Sequence, residues 1–310
     1  MPRRMTVGTL PAPEVKTRLQ GDGLGLRIGS LGMRILSRMP AIHQGLPAAY
    51  ADYPVLELDE FADFRVRIDA PPGPRRWIRP QAQFYLGTTA PFLPLPAHHA
   101  LAMLEWGMNW CVSSGLHRYL VIHAAAAEKD GLTYLFPGES GSGKSTLVAS
   151  LMLSGWRLLT DELVLLDAQD GSVQPFPRPV GLKNDAIAII QRAHDHAVVG
   201  HQVRDTTKGL VAHLRPDADS IRRGEERGTA AGIFFPRFRR GATADFTPRA
   251  PHETFLALVN QSFNYQILGE SGFRLASSLV TRVPAYDLQY GTMDDGKALI
   301  RQLHAQIARQ

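Results

Sequence analysis

Alternating apolar and polar positions predict strands in the first part of the chain. Residues 64–69 alternate cleanly, which is typical of a half-buried strand, and residues 24–38 and 83–87 predict further strands. Several prolines interrupt the first twenty positions, so we expect residues 1–20 to form a loose arm. The pattern therefore predicts a mainly β N-terminal region over residues 1–96.

A helical period replaces the alternation after this region. Apolar side chains recur every three or four positions over residues 98–114, and Gly115 stands where a helix commonly ends. We assign residues 97–116 to a connecting helix.

Two short apolar runs, residues 119–126 and 132–136, are separated by a polar turn and predict a hairpin. The second run leads into a glycine-rich segment, residues 138–145. An amphipathic helix follows that segment and ends at Gly155, and residues 157–160 predict the next strand.

The remaining chain is predicted more coarsely. Residues 210–214 and 232–235 have strand character, whereas residues 252–267 and 293–308 have helical spacing. We predict an α/β nucleotide-binding domain over residues 117–310, with a mixed sheet and the glycine-rich segment between one strand and one helix.

Composition narrows the class of protein. The chain has 310 residues, of which 44% are apolar, and its single cysteine, Cys111, excludes an internal disulfide. No run approaches the roughly 18 apolar residues that a membrane-spanning helix needs, and no signal peptide is evident, so we expect a cytoplasmic protein without a membrane partner. The net charge is +5, but no basic helix stands out, and we expect no nucleic-acid partner.

The segment 138–145 matches the phosphate-binding pattern G-x-x-x-x-G-K-[ST] at Gly138, Gly143, Lys144 and Ser145. Glycines let backbone N–H groups approach phosphate oxygens, and a helix that starts at Lys144 directs its positive end towards an anion. We therefore predict ATP binding. The remaining predicted nucleotide contacts within and beside this segment are Ser140, Gly141, Ser142 and Thr146.

A nucleotide site of this kind requires a metal ion. Asp161 and Glu162 follow the strand after the loop helix, where a metal-binding carboxylate is expected. With the Ser145 hydroxyl they form a predicted Mg²⁺ site. The alternative is that the two acidic residues form a solvated turn.

Glu139 is an unusual residue for a phosphate-binding loop, because a carboxylate there faces a polyanion. It is explained if the carboxylate accepts a proton from an incoming hydroxyl. The alternative is a side chain directed to solvent. His123, in the strand before the loop strand, is on residue type alone either a hydrogen-bonded core histidine or a site residue.

Glu139, His123 and the pair Asp161-Glu162 together resemble a known family. Hydroxyl kinases related to HPr kinase/phosphorylase have a carboxylate at the second loop position, a histidine on the preceding strand and two acidic residues after the loop helix. The resemblance is best over residues 117–190, and it is greatest to the HPr-kinase-related group A proteins. The loop is also similar to that of the ATP-dependent phosphoenolpyruvate carboxykinases.

The resemblance implies a P-loop domain of the HPr kinase and phosphoenolpyruvate carboxykinase type, with phosphoryl transfer from ATP to a serine-type hydroxyl. It implies that Glu139 is the general base, that His123 orients the substrate or the acidic pair, and that Lys144 and Asp161 are catalytic. The chain departs from the family in having Glu rather than Asp at position 139, and it lacks a late Gly-Arg-Asn segment. HPr itself is therefore not the expected acceptor, which is a peptide, a protein or a small molecule.

Phosphoryl transfer also requires positive charge around the transferred group. Lys183, Lys208, Arg215 and Arg237 are candidates, and we favour Lys208 and Arg237. Two other functions stay open, namely carboxykinase-like chemistry on a small acid and an ATP-binding sensor or scaffold without turnover. The oligomeric state also stays open, with a homo-oligomer as one alternative because proteins of the resembled family often assemble.

Overall fold

The computed structural model describes residues 5–73, 78–206 and 209–309. Within these residues the chain forms an α/β fold with one six-stranded, one eight-stranded and one three-stranded sheet.

The six-stranded sheet confirms the strands predicted in the N-terminal region. Its members are β1 (Leu24–Ile28), β2 (Leu31–Ser37), β3 (Val55–Leu56), β4 (Phe64–Asp69), β5 (Gln81–Leu86) and β6 (Leu95–Pro96). They lie in the order β3-β1-β2-β4-β5-β6. The pair β2–β4 is parallel and the other pairs are antiparallel.

The prediction of a loose arm over residues 1–20 is wrong for its described part. Residues Val7–Thr9 form a 3₁₀ turn and α1 spans Ala12–Gln20. Proline is compatible with the first helical turn because no N–H donor is needed there, so Pro11 and Pro13 start this helix rather than prevent it. Val15 and Leu19 are buried against the sheet. A second helix, α2, spans Pro40–Ala49.

The predicted connecting helix is α3, which spans Ala100–Gly115 after a 3₁₀ turn. It packs in one core with the N-terminal sheet, and that core also includes Tyr119 and Leu163 of the following region. A buried ion pair joins the two regions, because Arg178 Nη2 lies 3.0 Å from Glu105 Oε2 of α3. The Tyr50 hydroxyl donates to Glu105 Oε1 at 2.8 Å. The domain boundaries themselves stay a prediction.

The eight-stranded sheet is mixed, as predicted. Its strands are β7 (Tyr119–Lys129), β8 (Leu132–Pro137), β9 (Arg157–Thr160), β10 (Leu163–Asp167), β11 (Val173–Gln174), β15 (Thr229–Phe238), β16 (Asp245–Pro248) and β17 (Ala285–Tyr290). The order is β11-β10-β7-β8-β15-β17-β16, and β9 also pairs with β7. The strand β15 runs parallel to β8 and β17, whereas β7 and β8 form the predicted antiparallel hairpin.

The three-stranded sheet lies beside the glycine-rich segment. It consists of β12 (Val180–Lys183), β13 (Val203–Thr206) and β14 (Gly209–Leu214), in the order β12-β14-β13 with antiparallel pairs.

Helices cover both faces of the large sheet. They are α4 (Lys144–Met152), α5 (Asp185–Ala193), α6 (Ala218–Arg222), α7 (Pro251–Asn260), α8 (Tyr265–Leu268), α9 (Glu270–Arg282) and α10 (Met293–Ile307). One core contains side chains of α4, α5 and α10, such as Leu147, Ile187 and Leu303. The other core contains side chains of α7 and α9, such as Leu258 and Leu279. Among the described helices, none combines the length and the apolar composition that crossing a membrane requires.

The helical spacing predicted over residues 252–267 corresponds to two helices, α7 and α8, with a break between them. The helix is interrupted between α7 and α8 because the backbone there bonds to strand β7. His123 N donates to Gln261 O at 2.7 Å, and Phe263 N donates to Val121 O at 2.9 Å. The Asn264 side chain bonds the same strand, since its Oδ1 accepts from Val121 N at 3.0 Å.

Candidate functional site

The glycine-rich segment connects strand β8 directly to helix α4, which begins at Lys144. Gly141 and Gly143 have φ of +92° and +94°, conformations that favour glycine. A Cβ on Gly143 would lie 2.9 Å from both Phe238 Cβ and the Tyr290 hydroxyl, so a larger residue there would have to displace these neighbours. Phe238 N donates to Ser142 O at 3.0 Å, which joins the segment to β15.

Lys144 turns its side chain back over the segment. Its Nζ lies 2.9 Å from His123 Nε2 and donates to Gly138 O at 3.2 Å. Burial and the nearby Lys144 ammonium lower the pKa of His123 to about 4. His123 is therefore neutral at pH 7, and its Nε2 accepts the hydrogen bond from the lysine.

Asp161 is buried at the end of β9, close to the first turn of α4. Its Oδ2 accepts from Gly181 N at 3.1 Å, but its Oδ1 is buried and has no hydrogen-bond partner among the described residues. Burial raises the pKa of Asp161 to about 6, and Glu162 adds to this shift, whereas Lys144 and the Ser145 hydroxyl oppose it.

An unpaired carboxylate oxygen in a buried site fits a bound cation. An isolated buried charge is costly unless it is paired or coordinates a metal, and hard cations such as Mg²⁺ prefer oxygen ligands. Ser145, Asp161 and Glu162 supply oxygens from the end of β9 and the start of α4. The described residues contain no group of three His, Cys, Asp or Glu side chains able to hold a metal. A cation bound by Ser145, Asp161 and Glu162 would therefore need water or phosphate oxygens to complete its coordination.

Glu162 is positioned by helix α3. Its Oε2 accepts a hydrogen bond from Asn109 Nδ2, and both residues line a small cavity together with Asp161 and Lys183. The N-terminal region therefore reaches the candidate metal site through the same helix that carries Glu105.

Glu139 lies on a groove that is lined by the first part of the segment. The carboxylate is exposed, and the groove is also lined by Arg237, Arg249, Asp287 and Gln261. Arg237 is 61% exposed and lies 3.9 Å from Asp287, whereas Arg249 forms a shorter 2.9 Å ion pair with the same carboxylate. The exposed position of Glu139 is compatible both with a general base and with a solvent-directed side chain.

The structure thus brings most predicted residues together. Lys144, His123, Ser145, Asp161 and Glu162 surround the start of α4, with Gly138, Ser140, Gly141, Ser142, Gly143 and Thr146 in or beside the segment. Lys208 lies outside the described residues. Arg215 lies 3.3 Å from Asp52 in an ion pair with the N-terminal region, so it does not serve the segment.

Sequence reasoning missed two contacts to the site and gave too little weight to a third. Asn109 lies in helix α3 and Gln261 directly follows helix α7, so both are remote in sequence from the segment, and neither stands in a motif. Lys183 was favoured less than Lys208 and Arg237, yet its Nζ donates to Ser140 Oγ at 3.2 Å. The strand that positions Lys183, β12, is not among the strands predicted from the sequence.

Comparison with known proteins adds little to this geometry. No protein-family model matches the chain, and no curated protein matches it. Among solved structures, the chain is similar to the Hpr(Ser) kinase/phosphatase from Coxiella burnetii, with 10% sequence identity and a TM-score of 0.28. The similarity covers 61% of this chain and 98% of that chain. A TM-score this low carries no argument about function.

Proposed function

We propose that the chain is an ATP-dependent phosphotransferase that transfers the γ-phosphate to a serine-type hydroxyl and uses Mg²⁺. One observation carries the proposal. A buried Asp161 carboxylate with an unpaired oxygen lies beside Ser145, at the helix start where Lys144 closes over a glycine-rich segment. The segment supplies backbone amides that can bind an anion, Lys144 supplies a positive charge, and Asp161 supplies a metal ligand, all in one place.

The residues of the segment bind the polyphosphate in this proposal. Backbone N–H groups between Gly138 and Thr146 donate to phosphate oxygens, and the Lys144 ammonium offsets their negative charge. His123 is neutral and holds the Lys144 ammonium through the 2.9 Å contact, so it positions the lysine without adding charge.

Ser145, Asp161 and Glu162 would hold Mg²⁺. The ion supplies positive charge that stabilises the phosphoryl group during transfer. Asn109 keeps Glu162 oriented towards this position, which is a role that residues behind metal ligands commonly have.

Glu139 acts as the general base. Its carboxylate takes the proton of the acceptor hydroxyl while the acceptor oxygen forms a bond to the γ-phosphorus and the bond to the departing ADP oxygen breaks. The exposed position of Glu139 on the groove supports this role, because the acceptor must reach the carboxylate from solvent.

Calorimetric titration with Mg-ATP tests nucleotide binding, and incubation with γ-labelled ATP and cell extract tests transfer. We expect the wild type to bind, and the variant Lys144→Met to lose at least about tenfold in affinity, since it removes a charge-assisted contact. Lys129→Met is the matched control, because Lys129 is the last residue of β7 and its Nζ donates to Gly155 O at 3.4 Å, beyond the C-terminal end of α4.

The outcomes separate the functional classes. Labelled product in extract from wild-type protein, lost in Lys144→Met and kept in Lys129→Met, supports a phosphotransferase. Tight ATP binding without transfer to any component would favour a sensor or scaffold. Absence of ATP binding by the wild type would overturn the proposal altogether.

A further inference from the structure

Lys183 is the last residue of strand β12 and is half-buried beside the glycine-rich segment. Its Nζ donates to Ser140 Oγ at 3.2 Å. Ser140 belongs to the early part of the segment, whereas Lys144 contacts Gly138 O from the helix start. Two lysines from different elements therefore meet the same short loop.

The backbone around Lys183 is firmly held. Gly181 N donates to the buried Asp161 Oδ2 at 3.1 Å, which joins β12 to the acidic pair. Asn184, the next residue after Lys183, has φ of +50° and bonds strand β14 twice: its N donates to Leu210 O at 2.9 Å, and its Oδ1 accepts from Leu210 N at 3.1 Å. An unusual backbone conformation at such a position persists only when its surroundings impose it.

Lys183 also lies on the metal side of the segment. It lines the small cavity that contains Asp161 and Glu162, and its charge acts on His123, whose pKa it helps to lower. The ammonium is therefore near both the candidate metal ligands and the histidine that contacts Lys144.

We propose that Lys183 binds the terminal phosphate of a nucleoside triphosphate and so makes the site prefer a triphosphate over a diphosphate. This inference rests on the proposed function. A Mg²⁺ held by Asp161 and Glu162 would neutralise the terminal end of the polyphosphate, and Lys183 lines the same cavity as these two carboxylates. Lys144 reaches the β-phosphate, which both nucleotides have, as well as the γ-phosphate, whereas Lys183 contacts only the terminal group that the triphosphate alone has.

The test is the ratio of Mg-ATP to Mg-ADP affinity, measured by calorimetry on the full chain. Lys183→Met removes the charge but keeps most of the side-chain stem, and we expect it to weaken Mg-ATP binding by about 10- to 100-fold, the range for a charge-assisted hydrogen bond. Mg-ADP affinity should change by less than about threefold, which is well below the change in affinity expected from losing a charge-assisted hydrogen bond. Lys183→Arg keeps the charge, so its ratio of Mg-ATP to Mg-ADP affinity should be close to that of the wild type.

Two controls separate this role from a structural one. Arg215→Met removes another cation, one that is paired with Asp52, and should leave both affinities unchanged. Lys183→Gln retains a donor for Ser140, so it guards against a folding defect in Lys183→Met. Melting temperatures of all variants are measured in parallel.

Equal losses of Mg-ATP and Mg-ADP affinity in Lys183→Met and Lys183→Gln would overturn the inference and assign the lysine a structural role. Unchanged affinities in both variants would overturn it as well. If the wild type binds no nucleotide, the proposed function fails first. If the wild type binds ATP and ADP but the ratio is insensitive to Lys183, only the inference fails.

Discussion

Lys144 Nζ lies 2.9 Å from His123 Nε2, so the lysine of the phosphate-binding pattern is held by a histidine from the neighbouring strand. Burial disfavours the charged imidazole, and a protonated ring would also repel the Lys144 ammonium. Both effects lower the pKa of His123, to about 4. The contact therefore exists only while the histidine is neutral.

This relationship predicts a pH dependence of stability. Between pH 6.5 and about 4 the unfolded chain protonates His123 while the folded chain does not, so the free energy of unfolding decreases as pH falls through this window. Above pH 6.5 the histidine is neutral in both states and makes no further difference. His123→Gln removes this contribution. The free energy of unfolding of the wild type minus that of the variant, measured with urea, should therefore be smaller at pH 4.5 than at pH 7.

The pKa of His123 itself is measured by ¹⁵N chemical shifts of the imidazole. An imidazole that titrates near its ordinary value of about 6.5 would contradict both the assigned protonation state and the direction of the Lys144 hydrogen bond.

Two glycines of the same segment form a matched pair for substitution. Gly141 and Gly143 have similar positive φ, but a Cβ on Gly141 meets nothing within 4 Å, whereas one on Gly143 would lie 2.9 Å from Phe238 Cβ and from the Tyr290 hydroxyl. We expect Gly141→Ala to lower stability by about 1 kcal/mol through backbone strain alone. Gly143→Ala should cost about 1–3 kcal/mol more, because its neighbours must also move.

Thermal or urea unfolding of the two alanine variants measures the difference. If the glycine-rich segment binds phosphate, Gly143→Ala should also reduce Mg-ATP affinity more than Gly141→Ala does. Equal stability of the two variants would show that the packing around Gly143 is loose enough to accept a methyl group.

Local patterns predicted the central elements of the site. The apolar run that forms β8, the glycine spacing and the apolar residues of α4 are contiguous in sequence, so the segment, Lys144 and Ser145 could be predicted together. The predicted amphipathic character of α4 is wrong, because residues 147–152 are all buried. Asp161 followed from its position at a strand end. In contrast, Asn109 reaches Glu162 from a helix more than fifty residues away, and Gln261 acts at a helix interruption that depends on bonding to β7.

Pairing between residues that are distant in sequence explains where the predictions from the sequence differed from the structure. Helix α7 ends where it does because Gln261 O and Phe263 N bond to strand β7, and no pattern within residues 252–267 indicates that partner. Lys183 gains its importance from the short strand β12, which the antiparallel partner β14 holds against Asp161. Helical spacing and alternation cannot report such contacts, because they describe only neighbours along the chain.

The general-base role of Glu139 predicts a separation of binding from transfer. Glu139→Gln keeps the size of the side chain but cannot accept a proton, so we expect phosphoryl transfer to fall by about 10²- to 10⁴-fold with nearly unchanged ATP affinity. Transfer to the acceptor identified with labelled ATP measures the first quantity, and calorimetry measures the second. Glu253→Gln, a change of another carboxylate that lines the same groove, is the control and should retain most activity. Full activity of Glu139→Gln would refute the base assignment.

Asp161→Asn should stabilise the protein while it removes the candidate metal site. Burial raises the pKa of Asp161 to about 6. Between pH 3.8 and 6 the folded chain therefore binds more protons than the unfolded chain. The free energy of unfolding decreases as pH rises through this window, because the buried Asp161 carboxylate then becomes charged. Asparagine keeps an oxygen for the Gly181 N–H group but carries no charge. Without nucleotide or metal, we expect the melting temperature at pH 7.5 to rise by about 5 °C, with little change at pH 4.

The same substitution should abolish the Mg²⁺ dependence of nucleotide binding, because the unpaired Oδ1 is the central oxygen of the proposed metal site. Calorimetry of ATP binding with and without Mg²⁺ measures this effect beside the melting curves. A variant that is less stable than the wild type at pH 7.5 would mean that the Asp161 charge is compensated within the folded chain. Such compensation would remove the physical reason for a cation at this position, since a buried carboxylate that is already neutralised has no need of a metal ion.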